Sequence, residues 1–155
     1  MDLANLRLIL VPTDFSEASA TAVRVAVQLA RTFHAAIEVF HVDIDPSLIL
    51  PPPVDAISMP LHFARVVASS AEHLERTLAE IREAGVVCTS AEDFGRSHTA
   101  IVERARVTGA GLIVMGSHGR QGLGHALLGS VAEKVVQHAP CLVLVVPASG
   151  SAGAR

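Results

Sequence analysis

The sequence predicts an α/β protein built on one open, five-stranded parallel sheet with helices on both faces. Five short apolar runs alternate along the chain with longer segments whose apolar residues recur every three or four positions. Nearly continuous apolar runs are typical of strands buried on both faces, and periodic segments between them are typical of crossover helices. No internal repeat interrupts this alternation. The chain is therefore predicted to fold as a single layered domain.

The apolar runs set the predicted strands at residues 6–11, 37–42, 86–91, 112–115 and 142–146. Pro12 bounds the first run, and Ser16 is predicted to cap the helix that follows. The apolar stripe of that helix is predicted from its spacing as Ala22, Val25, Leu29 and Phe33.

Turn residues set the ends of the remaining elements. The second helix, marked from residue 67 to residue 81, stops at Gly85, and the third runs from Ser97 to near Gly109. The last helix spans about 130–138 and must end before Pro140. Residues 43–60 contain five prolines and are predicted to form a long loop that continues neither neighbouring element. The domain is predicted to cover 1–147, followed by a disordered tail at 148–155.

Composition narrows the class of protein. The chain of 155 residues is 50% hydrophobic and 17% charged, which excludes a disordered chain, and no apolar run approaches the roughly 20 residues of a membrane span. A net charge of −3 and the absence of Trp and Tyr give no reason to expect nucleic-acid binding. Cys88 and Cys141 lack metal-type spacing and are expected to be buried, reduced thiols. The first apolar run ends in Pro-Thr-Asp, unlike a secretory signal, so a cytoplasmic location is expected.

Three segments are predicted to meet at one edge of the sheet. Ligands of such folds bind beyond the carboxyl ends of the strands, where the strand order reverses. The ends available here are Pro12-Thr13-Asp14, Val42-Asp43 and Met115-Gly116. The interval between Glu103 and Glu133 contains no acidic residue, which indicates a local preference for anions. Its basic residues and histidines are Arg104, Arg106, His118, Arg120 and His125.

A cluster of glycines follows the fourth predicted strand. The segment VMGSHGRQGLGHALLGS, residues 114–130, holds five of the chain's 11 glycines. The backbone N–H groups of glycines can bind a phosphate closely because no Cβ blocks it, and a helix N-terminus nearby adds further N–H donors. The motifs GxxxxGK[ST] and GxGxxG are both absent, so a glycine-rich loop without a ligand stays an alternative.

Ser130 has two possible roles. Together with Glu133 it fits the S-x-x-E capping box, in which its hydroxyl would bond a backbone N–H of its own helix. It also lies where a phosphate would meet the helix N-terminus. The spacing is compatible with both roles.

The glycine segment resembles a motif of the universal stress protein family. The spacing Gly116-x2-Gly119-x9-Gly129-Ser130 matches the family's G-x2-G-x9-G-[ST] pattern. The segments VPTDFSE, HV, IVMGSHG, LLGSVAEKV and PCLVLVVP agree with it in order, so the similarity extends from about residue 6 to residue 147. The resemblance is to small single-domain members that bind ATP. It implies strand order 3-2-1-4-5 and a homodimer. The chain departs from the family's usual pattern at Gly111, where an acidic residue is common.

The resemblance also implies roles for particular residues. Pro12, Thr13 and Asp14 would lie against the nucleoside, with Asp14 on the ribose, and the backbone of Val42 would meet adenine. Met115 and Gly116 would lie beside the nucleotide. Mg²⁺ or Mn²⁺ would bind together with ATP, coordinated by the phosphates and by water. The phosphates would be held by Gly119, Gly129, Ser130 and Val131.

Several side chains keep a second interpretation. Asp14 would otherwise cap the first helix. His118 and Arg120 would either meet phosphate oxygens or remain exposed loop cations. His41 is expected to pack at a strand end. The apolar run 142–146 is expected to lie at a sheet edge and to pair with its copy across a two-fold axis.

These observations predict an ATP-binding stress-response switch that acts on a downstream protein partner and hydrolyses ATP slowly or not at all. No set of catalytic residues is evident, since a Gly-x-Ser-x-Gly elbow and a phosphoryl-transfer lysine are both missing. Two alternatives remain: a nucleotide-free dimeric interaction module of the same fold, and an ATP-using enzyme of the adenine-nucleotide α-hydrolase class. The enzyme ranks last because that class usually carries a glycine-serine loop where this chain has VPTDFSE.

Overall fold

The structure, a computed structural model, describes residues 5–43, 58–118 and 128–147. Five strands and four helices alternate through this part of the chain. In order they are β1 (Leu8–Thr13), α1 (Glu17–Phe33), β2 (Ala36–Asp43), α2 (Ser58–Glu83), β3 (Cys88–Phe94), α3 (Ser97–Thr108), β4 (Leu112–Gly116), α4 (Ser130–His138) and β5 (Leu142–Val146).

The strands form one parallel sheet in the order β3-β2-β1-β4-β5. This confirms the predicted fold class and the strand order that the resemblance implied. The chain adds strands on one side of β1 and then on the other, so the order reverses between β1 and β4. The carboxyl ends of those two strands therefore border a crevice.

The core lies in two layers, one on each face of the sheet. Alternate strand residues such as Ile9, Val39 and Val114 pack on one face, and Leu10, Phe40 and Ile113 pack on the other. Helices α1 and α2 cover the first face, and α3 and α4 cover the second.

The buried stripe of α1 differs from the predicted one. Of the predicted residues only Ala22 is fully buried, whereas Val25, Leu29 and Phe33 are partly buried. The buried face consists mainly of Ala18, Ala22, Ala26 and Ala30. Small side chains on this face let the helix backbone approach the sheet closely, and that packing selects the face.

Three predicted boundaries are also wrong. Strand β1 continues to Thr13, because Pro12 and Thr13 still pair with Phe40 and His41 of β2. The predicted loop at 43–60 overlaps both neighbouring elements, since β2 includes Asp43 and α2 begins at Ser58, and its residues 44–57 lie outside the described residues. Pro60 fits within the first turn of α2, where a helix N–H has no intrahelical acceptor.

Strand β3 lies at Cys88–Phe94 instead of 86–91, in register with β2 from Ile37 to Asp43. The predicted tail at 148–155 lies outside the described residues. None of the helices in the described part is long and apolar enough to span a bilayer.

Candidate functional site

The turn after β1 is held by hydrogen bonds between residues that are close in the chain. The Phe15 N–H donates to Thr13 Oγ1 over 3.1 Å, and Thr13 Oγ1 lies 3.2 Å from Ser19 Oγ. Asp14 is half-buried, and its Oδ1 accepts the Ser16 N–H over 3.1 Å. Pro12 and Thr13 are buried at the end of the strand. The turn therefore presents Asp14 at the crevice on a fixed backbone.

Helix α1 is capped by Ser16, as the sequence predicts. The Ser16 side chain accepts the Ser19 N–H over 3.3 Å. The alternative cap at Asp14 is therefore wrong, because Asp14 lies two residues before the N-cap and bonds within the turn.

The end of β4 lies close against the start of α1. A Cβ added at Gly116 would lie 2.9 Å from the backbone carbon of Ala18, so the glycine is required by helix packing. Met115 is buried in the apolar layer beneath α3 and α4. The Ser117 N–H donates to Val146 O over 2.8 Å, which ties the end of β4 to β5.

The segment after β4 is described as far as His118. Ser117 is buried, and its hydroxyl lies 3.1 Å from His118 Nδ1. His118 is half-buried. Gly119 and Arg120, both predicted to contact phosphate, lie outside the described residues.

Helix α4 begins at Ser130, and its N-cap is Gly129, whose backbone is extended (φ −70°, ψ 155°). The capping-box prediction for Ser130 is therefore wrong, because Ser130 is the first helical residue and no side chain caps the helix. The Gly129 N–H donates to Ser117 O over 2.7 Å, so this N–H is occupied within the protein.

The first turn of α4 presents backbone N–H groups that its own helix does not use. The first intrahelical bond runs from the Glu133 N–H to Gly129 O, over 2.9 Å. The N–H groups of Ser130, Val131 and Ala132 therefore have no acceptor in their own helix. The bond from Gly129 to Ser117 places this positive helix end beside the end of β4. An anion at the crevice would meet these three N–H groups.

Strand β2 contributes backbone at the same edge of the sheet. The last residue of β2 in register with β1 is His41, opposite Thr13. Val42 comes next and pairs with Asp93 on the β3 side. The β1-facing backbone of Val42 therefore lies beyond the last register pair of those two strands.

The predicted concentration of positive charge is reduced by two ion pairs. Arg104 donates two bonds of 2.8 Å to the buried carboxylate of Glu38, which reaches it from the middle of β2. This hydrogen bonding, more than any other influence, raises the pKa of Arg104. Arg106 pairs with Glu103 on its own helix. The positive charge of the acid-free interval is thus partly neutralised in the folded protein, because Glu38 reaches Arg104 from a strand that is distant in the sequence.

Sequence reasoning missed the polar cluster beside the crevice. His41 is buried as expected, but it bonds both Thr13 and Asp43, and Phe15 packs against it with φ 61°. No sequence signal predicts a left-handed Phe.

Both cysteines are free and half-buried, and burial raises the pKa of each thiol. The described residues contain no group of three His, Cys, Asp or Glu side chains arranged for a metal ion.

Comparison with known proteins identifies the family. A family profile described as "Universal stress protein family" matches residues 5–147. The chain belongs to the universal stress protein family. It is 37% identical over 139 residues to universal stress protein MJ0531 of Methanocaldococcus jannaschii, covering 89% of this chain and 80% of that one.

Solved structures of universal stress proteins share the fold. Hypothetical protein MJ0577 of the same archaeon superposes with a TM-score of 0.81 at 26% identity, covering 94% of this chain and 98% of that one. A universal stress protein in complex with cAMP gives 0.67 at 24% identity, covering 92% and 98%. An Arabidopsis thaliana member with AMP bound gives 0.61 at 21%, covering 94% of each chain. At those two identities the similarity establishes the shared fold.

Proposed function

We propose that this universal stress protein binds an adenine nucleotide, ATP with Mg²⁺ or Mn²⁺, in the crevice between β1 and β4. The observation that carries the proposal is the start of α4, where three N–H groups without intrahelical acceptors lie beside the end of β4. A helix N-terminus at the switch point of a parallel sheet is suited to a phosphate. Two proteins of this fold carry cAMP and AMP, which is consistent with an adenine nucleotide here.

The geometry refines the roles of the predicted residues. The N–H groups of Ser130 and Val131 would hold phosphate oxygens, together with the Ser130 hydroxyl and the predicted contacts His118, Gly119 and Arg120. Gly129 would act by bringing the start of α4 against Ser117, since its own N–H is occupied by Ser117 O. A divalent cation would bind through phosphate oxygens and water, as Mg²⁺ commonly does.

The nucleoside would lie along the ends of β1 and β2. Asp14 would accept a hydrogen bond from the ribose, and the backbone of Val42 would meet adenine. Thr13, Ser16 and Ser19 bond one another at this end of β1, so they shape the turn. Because these hydroxyls are engaged in holding the turn, we expect slow or no hydrolysis of ATP. We therefore propose that the protein is a binding switch that acts on a downstream protein partner.

Proline substitution at the start of α4 tests the phosphate site. Ser130→Pro removes one N–H and one hydroxyl, and proline suits the first helical position after an extended residue. Ser97→Pro is the matched control, because Ser97 is the first residue of α3 and follows an extended Arg96 (φ −83°, ψ 111°). We expect Ser130→Pro to weaken ATP binding at least about tenfold, the loss of one charge-assisted bond. Ser97→Pro should bind as the wild type does.

The measurement is isothermal titration of each variant with ATP and Mg²⁺, alongside thermal unfolding without ligand. Ser130→Ala separates the hydroxyl from the N–H. Equal affinities for Ser130→Pro and Ser97→Pro would place the phosphates elsewhere. If the wild type binds no ATP, ADP or AMP, the nucleotide-free interaction module becomes the better description.

We also propose a homodimer formed through β5. This strand pairs with β4 on one side, and among the described strands it has no neighbour on the other. Leu142 and Leu144 are 45% and 38% exposed, as an apolar edge awaiting a partner would be. In analytical ultracentrifugation, the wild type should sediment as a dimer. The Leu144→Lys variant should sediment as a monomer, because it places a charge on the apolar edge of β5. A wild-type monomer at micromolar concentration would refute this interface.

A further inference from the structure

A buried histidine–aspartate pair connects the ends of β1 and β2 next to the crevice. His41 and Asp43 are 6% and 8% exposed. His41 Nδ1 lies 2.7 Å from Thr13 O, and its Nε2 lies 3.1 Å from Asp43 Oδ1. Asp43 Oδ1 also accepts the Ser70 hydroxyl of α2 over 3.4 Å. One imidazole thus joins both strands.

The partners of His41 determine how many protons the pair holds. Thr13 O is a carbonyl and can only accept, so Nδ1 must carry a proton. Asp43 Oδ1 already accepts from Ser70, so the second contact is most simply Nε2–H donating to a carboxylate. With Nδ1–H donating to Thr13 O and Nε2–H donating to Asp43 Oδ1, the ring would be an imidazolium paired with a carboxylate. Asp43 Oδ2 is buried and has no hydrogen-bond partner among the described residues, so within that part of the chain His41 is the group that compensates the Asp43 charge.

Phe15 packs on the same imidazole in an unfavourable backbone conformation. Its φ is 61°, in the left-handed region that bulky L-residues rarely adopt. Its ring centroid lies 4.4 Å from that of His41 and 4.9 Å from that of His73 on α2. A cation beside an aromatic ring is attracted to it, so a protonated His41 helps to hold Phe15 in place. The strained turn persists because its side chain is held from two sides.

Asp14 lies between the two residues that His41 holds. Its predecessor Thr13 is fixed through its carbonyl, and its successor Phe15 is fixed through its ring. We propose that His41, protonated on both nitrogens by its pairing with Asp43, is a positioning residue that sets the Asp14 carboxylate for the ribose. The inference rests on the proposed nucleotide site, but the proton count can be tested without a nucleotide.

Imidazole ¹⁵N chemical shifts in the ligand-free protein test the proton count at neutral pH. We expect both nitrogens of His41 to show the shifts of N–H groups. Asp43→Asn should convert His41 to a neutral ring with one N–H, because an amide N–H can donate to Nε2 while the Ser70 hydroxyl turns to accept the other amide N–H. A His41 with one unprotonated nitrogen in the wild type would overturn the assignment.

A double-mutant cycle between His41 and Asp14 tests the positioning role. His41→Ala should weaken ATP binding about tenfold, and Asp14→Ala by a similar factor. If His41 acts through Asp14, the double variant should bind no more weakly than Asp14→Ala alone. Additive losses would overturn the positioning role and leave His41 as a general structural residue.

Three variants keep the result independent of stability. His73→Ala removes the other ring from Phe15 without touching the β1 backbone, and should reduce affinity less than His41→Ala. Asp43→Asn keeps the contacts and should retain most of the affinity, whereas Asp43→Ala should lose it. Equal losses in Asp43→Asn and Asp43→Ala would contradict positioning by contact. Failure of the wild type to bind nucleotide would refute the proposed function, and the ¹⁵N result would still decide the proton count.

Discussion

Replacing Gly116 with alanine should destabilise the ligand-free protein, because α1 leaves no room for a side chain there. The added Cβ would lie 2.9 Å from both the backbone carbon and the Cβ of Ala18, and 3.1 Å from Ser19 N. Ordinary contacts begin at 3.4 Å, so the first turn of α1 would have to move by about half an ångström. The φ of Gly116 is not positive, so this cost comes from packing alone.

Overpacking of this kind costs about 1–3 kcal/mol. In a domain of this size, that lowers Tm by roughly 2–12 °C. Urea unfolding followed by circular dichroism suits a chain without Trp, with all variants at one protein concentration because association shifts apparent stability.

Gly129→Ala is the matched control within the same motif. Its Cβ would lie 3.2 Å from Ser117 O and 3.5 Å from His118 Cα, and its φ of −70° suits alanine. We expect a loss below about 1 kcal/mol. A Gly116→Ala variant as stable as the wild type would refute the packing explanation and leave the predicted position beside the nucleotide as the reason for this glycine.

Other outcomes follow from the ion pair and the thiols. Arg104→Met leaves the Glu38 carboxylate, 9% exposed, without its bidentate partner; because Arg104 is itself 35% exposed, we expect a loss of about 2–4 kcal/mol, somewhat below that of a fully buried pair. Adding Glu38→Gln should recover more than half of that loss in urea unfolding, and no recovery would contradict the pairing. Burial raises the pKa of Cys88 and Cys141, so at pH 8 both should react with iodoacetamide several-fold more slowly than in the urea-unfolded chain. The unfolded chain releases these thiol protons first, so stability should fall as pH rises above about 8.5, and a flat profile would argue against the shift.

The glycine motif shows how far local spacing can be interpreted. The pattern predicted Gly116 at the end of a strand and Gly129 and Ser130 at the start of a helix, and the structure has them there. It did not distinguish their roles, because each role depends on a neighbour from another element: Ala18 of α1 crowds Gly116, and Ser117 O occupies the Gly129 N–H. Ser130 matches a capping box in sequence, yet the extended residue that caps α4 is Gly129.

The sequence by itself determined the alternation of strands and helices, the parallel α/β class and the Ser16 cap, and its motifs indicated the family. These features depend on periodicity and on contacts between residues close in the chain. The tertiary structure alone decided the buried face of α1, the pairing of Glu38 with Arg104, and the link from Thr13 through His41 to Asp43. Each of these depends on close packing between elements that meet only in the folded sheet, so no local pattern encodes them.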